Sequence, residues 1–207
     1  MSRVLYKYLV PIWDSSTGNV ASFETSFRFE ATTIARAPGD GLIFFLTDQA
    51  NAATIPDNSR DGLLGVADAK NAFNRFVGVE FDNYANPWDP NYNHIGINLN
   101  SFYSVKIMKW RWLYESSTIL TVNIIYDSPS STLTVVVTDY DGQISTLSQM
   151  LDLKWLLPEM AVIGISGSSG SCQLNEIYSW SFTSVLNTAT RSSSDNIINI
   201  TTAIATY

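Results

Sequence analysis

Short stretches in which apolar and polar residues alternate one by one, each closed by a turn signal, recur along this chain, and almost nowhere does a helical period replace them. Phe23, Phe27 and Phe29 alternate with Glu24, Ser26, Arg28 and Glu30, the pattern of a half-buried strand. Gly41 to Leu46 and Phe76 to Phe81 are short apolar runs suited to a sandwich interior. From His94 to Leu99, period-two spacing puts Ile95, Ile97 and Leu99 on one face and His94, Gly96 and Asn98 on the other. Thr121 to Tyr126 and Leu133 to Val137 are rich in β-branched residues, and the turn signal Asp127-Ser128-Pro129-Ser130-Ser131 between them predicts a hairpin. Tyr178, Trp180 and Phe182 alternate with Ser179, Ser181 and Thr183. One helical turn is expected at Asp152 to Leu157, stopped by Pro158. Many short strands with regular turns and so little helix mean an all-β sandwich or barrel.

At 207 residues, 45% of them hydrophobic, the chain suits one large domain with a sizeable core, and no internal repeat or linker divides it. The expected domain runs over residues 1–186. Residues 187–207, rich in Ser, Thr and Asn, form a polar and mobile tail in this reading, with a glycosylation sequon, Asn199-Ile200-Thr201, that matters only in a secreted chain. A formal net charge of −7 leaves no basic stripe to neutralise phosphates, which argues against a nucleic-acid partner. The single cysteine, Cys172, rules out an internal disulfide framework; an inert loop cysteine is the plainer reading than a reactive thiol. No apolar run is long enough to span a membrane as a helix. Met1 to Tyr6 lacks the apolar core of a signal peptide, so such a leader is expected to be absent, removed or lost with a missing N-terminal segment.

The chemistry concentrates in Glu80 to Asp89 and His94. Glu80 and Asp82 lie two apart on a strand and share a face. Asp89 follows a tight loop, and His94 opens the returning strand. No Lys or Arg occurs between Arg75 and Lys106, so nearby chain offers these carboxylates no cation, and bound metal is the economical compensation. Asp82, Asp89, the Asn86 side-chain oxygen and a backbone carbonyl near Tyr84 make an all-oxygen set suited to calcium. Glu80, Asp82, Asp89 and His94 make a mixed set suited to manganese or another first-row ion. The blander alternative is a polar face with an ordinary surface histidine. A glycosidase would need carboxylates in a row across the strand, and Tyr84 occupies the third alternate position.

The run VGVEFDNYANPWDPNYNHIGINLNS closely resembles the metal-binding segment of legume lectins, and PGDGLIFFL, DGLLGV, VASFETSFRFE, LTVNIIYDSPSSTLTVVV and EIYSWSFTS resemble further segments of that family. The resemblance implies a concanavalin-like β-sandwich, or jelly-roll, of a flat back sheet and a curved front sheet, and a non-enzymatic carbohydrate-binding protein with calcium and manganese. It implies Glu80, Asp82, Asp89 and His94 as transition-metal ligands, with Ser104 holding a bound water, and Asp82, the Tyr84 carbonyl, Asn86 and Asp89 around calcium. The sugar site would combine Asp40, Gly62, Asn86 and the ring of Tyr84, closed on one side by Gly170, Ser171 and Cys172, and the peptide before Asp40 would be cis. Glycans and glycoproteins become the expected partners, a homodimer or homotetramer the expected assembly, and a secreted or vacuolar location with a role in plant defence the expected setting. The alternative kept beside it is a storage or defence relative that binds no sugar.

Departures from the family pattern accompany the likeness. Family members carry several tens of residues before the position of Arg3, including a first strand at the back-sheet edge, and the chain lacks that strand in this reading. Asp61 stands where glycine is frequent and Gly39 where alanine is. A short loop from Gly167 to Asn175 points to mannose or glucose, whereas the overall likeness points to galactose or GalNAc.

Overall fold

The computed structural model describes residues 1–33, 39–57, 59, 64–68, 75–110, 119–169, 173–187 and 196–202. Two antiparallel sheets face each other. One runs in the order β1 (Ser2–Leu5), β11 (Met160–Ser169), β4 (Asp40–Thr47), β5 (Phe76–Asp82), β6 (His94–Leu99), β7 (Ser104–Lys109), with β2 (Val10–Pro11) also paired to β11. The other runs β10 (Ile144–Met150), β9 (Thr132–Thr138), β8 (Leu120–Asp127), β3 (Ser22–Thr33), β12 (Gln173–Leu186), β13 (Asn196–Thr202). Helix is confined, among the described residues, to α1 (Gln49–Ala53) and α2 (Leu153–Leu156), and no helix is long and apolar enough to cross a membrane.

Alternation accounts for the layers. Phe23, Phe27 and Phe29 of β3 are buried between the sheets with Val122, Ile124 and Tyr126 of β8, and their polar alternates face outward. The opposite sheet contributes Leu42, Phe44 and Leu46 of β4, Val77, Val79 and Phe81 of β5, and Ile95 and Ile97 of β6. Phe29, Phe81 and Trp110 meet edge-on and tilted, with Phe29 and Phe81 centroids 5.2 Å apart. The continuous run in β4 has a separate cause: both of its faces are covered. Ile43 and Phe45 point away from the main core into a second apolar cluster with Leu64, Val66, Ala67 and Phe76, against which Trp88 and Phe102 pack. In β5 the residues that share that outer face are Gly78, Glu80 and Asp82, so the sheet that is apolar under one set of loops becomes acidic under the next.

Three expectations change. Tyr178 does not share the inner face of Trp180 and Phe182, because a bulge between Ile177 and Ser179 inserts an extra residue; Tyr178 turns outward and donates its hydroxyl to Glu30 Oε2 at 2.7 Å. The segment Gly167 to Asn175 is not all loop: Gly167, Ser168 and Ser169 belong to β11, and Gln173 to Asn175 to β12. The tail is not wholly irregular either. Asn196–Thr202, rich in β-branched Ile and Thr, pairs with β12 as β13.

Candidate metal centre and adjoining ligand site

Sheet register gathers the acidic face. The β5–β6 pairing sets His94 opposite Asp82 and Gly96 opposite Glu80. The β6–β7 pairing then brings Ser104 beside Asn98. One ligand atom each from Glu80, Asp82 and His94 lies within 4.8 Å of the others, and all three residues are buried. His94 Nε2 is 3.2 Å from Glu80 Oε1 and 4.0 Å from Asp89 Oδ1. Ser104, given a bound water by the resemblance, donates its hydroxyl directly to Glu80 Oε1. Gly96 makes this contact sterically feasible: a Cβ built there would overlap both the Ser104 hydroxyl and the Glu80 carboxylate. The sequence reading did not assign Gly96 to the site, although an interior strand glycine is itself a signal of close approach.

The calcium-type set forms where the chain leaves β5. Asp82 Oδ1 accepts the Tyr84 N–H at 2.7 Å, while Asp82 Oδ2 is buried without a partner. The following turn is closed by Asn86 N–H donating to Asp89 Oδ2 at 2.9 Å and Asp89 N–H donating to the Asn86 carbonyl at 3.0 Å. This leaves Asn86 Oδ1 buried and unpartnered as well. Two orphaned oxygens beside a carboxylate cluster suit a cation, since an unsatisfied buried acceptor costs about 1–3 kcal/mol. Electrostatics agree. Burial, reinforced by Glu80, pushes the Asp82 carboxyl up to about 9 against the pull of the Tyr84 N–H. Burial also pushes Asp89 up to about 6, opposed by the Asn86 N–H. Lys109 lies cross-strand from His94, yet its ammonium sits over the Tyr92 ring, 5.7 Å from the centroid. Among the described residues, no lysine or arginine pairs with Glu80, Asp82 or Asp89. The donor set therefore fits divalent cations.

Asp40 opens β4 beside this cluster. It is 4% exposed, its carbonyl accepts the Asn83 N–H at 3.1 Å, and its Oδ2 accepts the Ser168 hydroxyl at 2.7 Å. The Gly39–Asp40 peptide is cis. Tyr84 is 47% exposed, and Gly39 packs against it so closely that an added Cβ would sit 3.1 Å from Tyr84 Cβ. The structure thus brings Asp40, Tyr84, Asn86 and the metal-type residues to one end of one sheet. Gly62, Gly170, Ser171, Cys172 and Asp61 lie outside the described residues. Ser168, Gln173 and Asn175, which contact Asp40 or its neighbours, were not legible as site residues, because nothing in the local pattern distinguishes them from ordinary strand polar groups.

Comparison with known proteins gives one answer. The legume lectin domain matches residues 1–198. A bark agglutinin of Robinia pseudoacacia is 51% identical over 197 residues, spanning 94% of this chain and 71% of that protein. A galactose-binding lectin of Arachis hypogaea is 48% identical over 202 residues, spanning 95% of this chain and 72% of that protein. Among solved structures, a Lotus tetragonolobus seed lectin superposes with a TM-score of 0.85 at 46% identity, covering 90% of this chain and 82% of that one.

Proposed function

Because the chain belongs to the legume lectin family, we propose that it is a non-enzymatic lectin that holds a sugar residue of a glycan at Asp40, Asn86 and Tyr84, beside a calcium- and manganese-supported centre. The observation that carries this reading is the pair of buried, partnerless oxygens, Asp82 Oδ2 and Asn86 Oδ1, next to the buried carboxylate of Asp40. Asp82, Asn86, Asp89 and the Tyr84 carbonyl would hold calcium, an all-oxygen set. Glu80, Asp82, Asp89 and His94, with Ser104 behind Glu80, would hold manganese or another first-row ion. When bound, the two cations supply the positive charge that the acidic face lacks.

The protein's own groups do the recognising. Asp40, acceptor-only when ionised, takes hydrogen bonds from neighbouring sugar hydroxyls. Asn86 gives its amide N–H to the sugar while its oxygen faces the cation. The exposed ring of Tyr84 offers a flat apolar surface to the sugar's C–H face. The N–H of Gly62, a residue with no side chain of its own, and the segment Gly170 to Cys172 complete the proposed site. Galactose or GalNAc is supported by kinship with the Arachis hypogaea lectin. Mannose or glucose is supported by the short connection between β11 and β12. Glycoprotein partners, assembly as a homodimer or homotetramer, a secreted or vacuolar location and a defensive role belong to the same proposal.

The test is binding to an array of galactose-, GalNAc-, mannose- and glucose-terminated glycans in calcium and manganese, with a chelated control. Chelator-sensitive binding is expected, and the preferred glycan decides the sugar class. A folded, metal-loaded sample that binds none of them overturns the reading in favour of a relative without sugar recognition.

A further inference from the structure

Asp40 is held from two sides. On one side its carbonyl is tied to the Asn83 N–H at the end of the metal-bearing strand β5. On the other side stands a hydrogen-bonded relay from β12 whose side chains, Gln173 and Asn175, bond to none of the metal-type residues. The Gly39 N–H donates to Gln173 Oε1 at 3.1 Å, Gln173 Nε2 donates to Asn175 Oδ1 at 2.8 Å, and Asn175 Nδ2 donates to the Gly41 carbonyl at 3.2 Å. The relay leaves the chain on one side of Asp40 and returns on the other. Ser168, paired with Gly41 across the β11–β4 ladder, adds its hydroxyl to Asp40 Oδ2.

The direction of this relay is imposed by the backbone at both ends. A main-chain N–H at Gly39 demands an acceptor, so the Gln173 oxygen must face it and its NH2 must face Asn175. The carbonyl at Gly41 demands a donor, so the Asn175 oxygen must face Gln173. Each amide has one workable orientation, and the two fit together. Gln173 is 5% exposed, so water has little access to replace a lost partner. Room for the Asn175 side chain exists because Gly167 has none: a Cβ there would lie 3.3 Å from Asn175 Nδ2.

From this geometry we infer that Gln173, Asn175 and Ser168 are positioning residues that set Asp40 for carbohydrate independently of the metal centre; the inference rests on the lectin reading above. Metal ligands and relay then act on one carboxylate from opposite flanks. Losing a metal ligand weakens both cation and sugar binding, whereas losing the relay weakens sugar binding alone.

Two substitutions test it in the metal-loaded full chain. Asn175→Asp is nearly isosteric but offers no donor to the Gly41 carbonyl. Ser168→Ala removes only the hydroxyl on Asp40. For each, calcium affinity by calorimetry and the urea midpoint are measured beside the dissociation constant for the methyl glycoside of the sugar the array selects. The expected result is sugar binding weakened about tenfold, with calcium affinity and midpoint unchanged. Unchanged sugar affinity in both variants overturns the inference, and so does a loss that runs parallel to lost calcium affinity or stability, which marks a merely structural role. Wild-type protein that binds no glycan overturns the lectin reading itself and this inference with it, an outcome distinct from variants that bind as well as wild type.

Discussion

At the scale of single residues, the acidic face crowds both charge and space around Glu80 and Asp82. Gly96 controls the space. Gly96→Ala would push a methyl group into the Ser104 hydroxyl and the Glu80 carboxylate, and overpacking of this kind costs about 1–3 kcal/mol. A lowered thermal midpoint and at least tenfold weaker manganese binding by calorimetry are expected; unchanged manganese affinity would detach Gly96 from the site. Asp82 controls the charge. Its carboxyl titrates at about 9 in the folded chain and near 4 when unfolded, so between those values the metal-free folded state binds the extra proton. The stability this group contributes is complete below about pH 4 and is lost as the pH rises towards 9, with Asp89 adding a smaller loss up to about 6. In chelator, the urea midpoint of wild type relative to Asp82→Asn should therefore fall between pH 5 and pH 9. Added calcium should flatten the trend. A relative midpoint that climbs with pH in chelator would contradict the assignment of an uncompensated buried carboxylate.

At the scale of elements, β5 serves two layers at once and the turn after it is held from outside. Phe81 is 1% exposed and packs against Phe27, Phe29 and Trp110, while its chain neighbours Glu80 and Asp82 face the other way. Phe81→Ala should cost about 3–5 kcal/mol by urea titration and degrade cation binding along with the fold. Trp88 stands in the turn between Asn86 and Asp89 and packs on Phe102, 5.0 Å between ring centroids, over the second apolar cluster. Its anchorage is local, so Trp88→Ala should weaken calcium binding by up to about tenfold, the worth of an aromatic pair, with a much smaller change in the urea midpoint. Equal losses of stability in the two variants would mean that the turn is part of the global folding unit rather than an element docked on it.

For the whole molecule, two sheets close on one continuous aromatic and aliphatic core that contains none of Glu80, Asp82 and His94, which gather with Asp40 at one end of one sheet. Chelation should leave the far-ultraviolet circular dichroism of the sandwich intact while lowering the melting temperature. At calcium a hundredfold above its dissociation constant, mass action adds about 2.7 kcal/mol, a shift on the order of 5–10 °C for a chain of this size. A chelated protein that loses its strand signal at room temperature would contradict this division. The sandwich, its alternating strands and the cluster Glu80, Asp82, Asp89 and His94 were legible in the sequence, because period-two alternation and a local carboxylate excess are properties of neighbouring residues. Why β4 is apolar on both faces, why Tyr178 turns outward, that residues 196–202 form a strand and that Gly96 makes room for Glu80 were decided by packing and register between segments distant in sequence. The relay around Asp40 is the extreme case: Gln173 and Asn175 meet residues 134 positions away, a contact that exists only once β11 and β12 have closed over β4, so no local pattern in the chain could announce it.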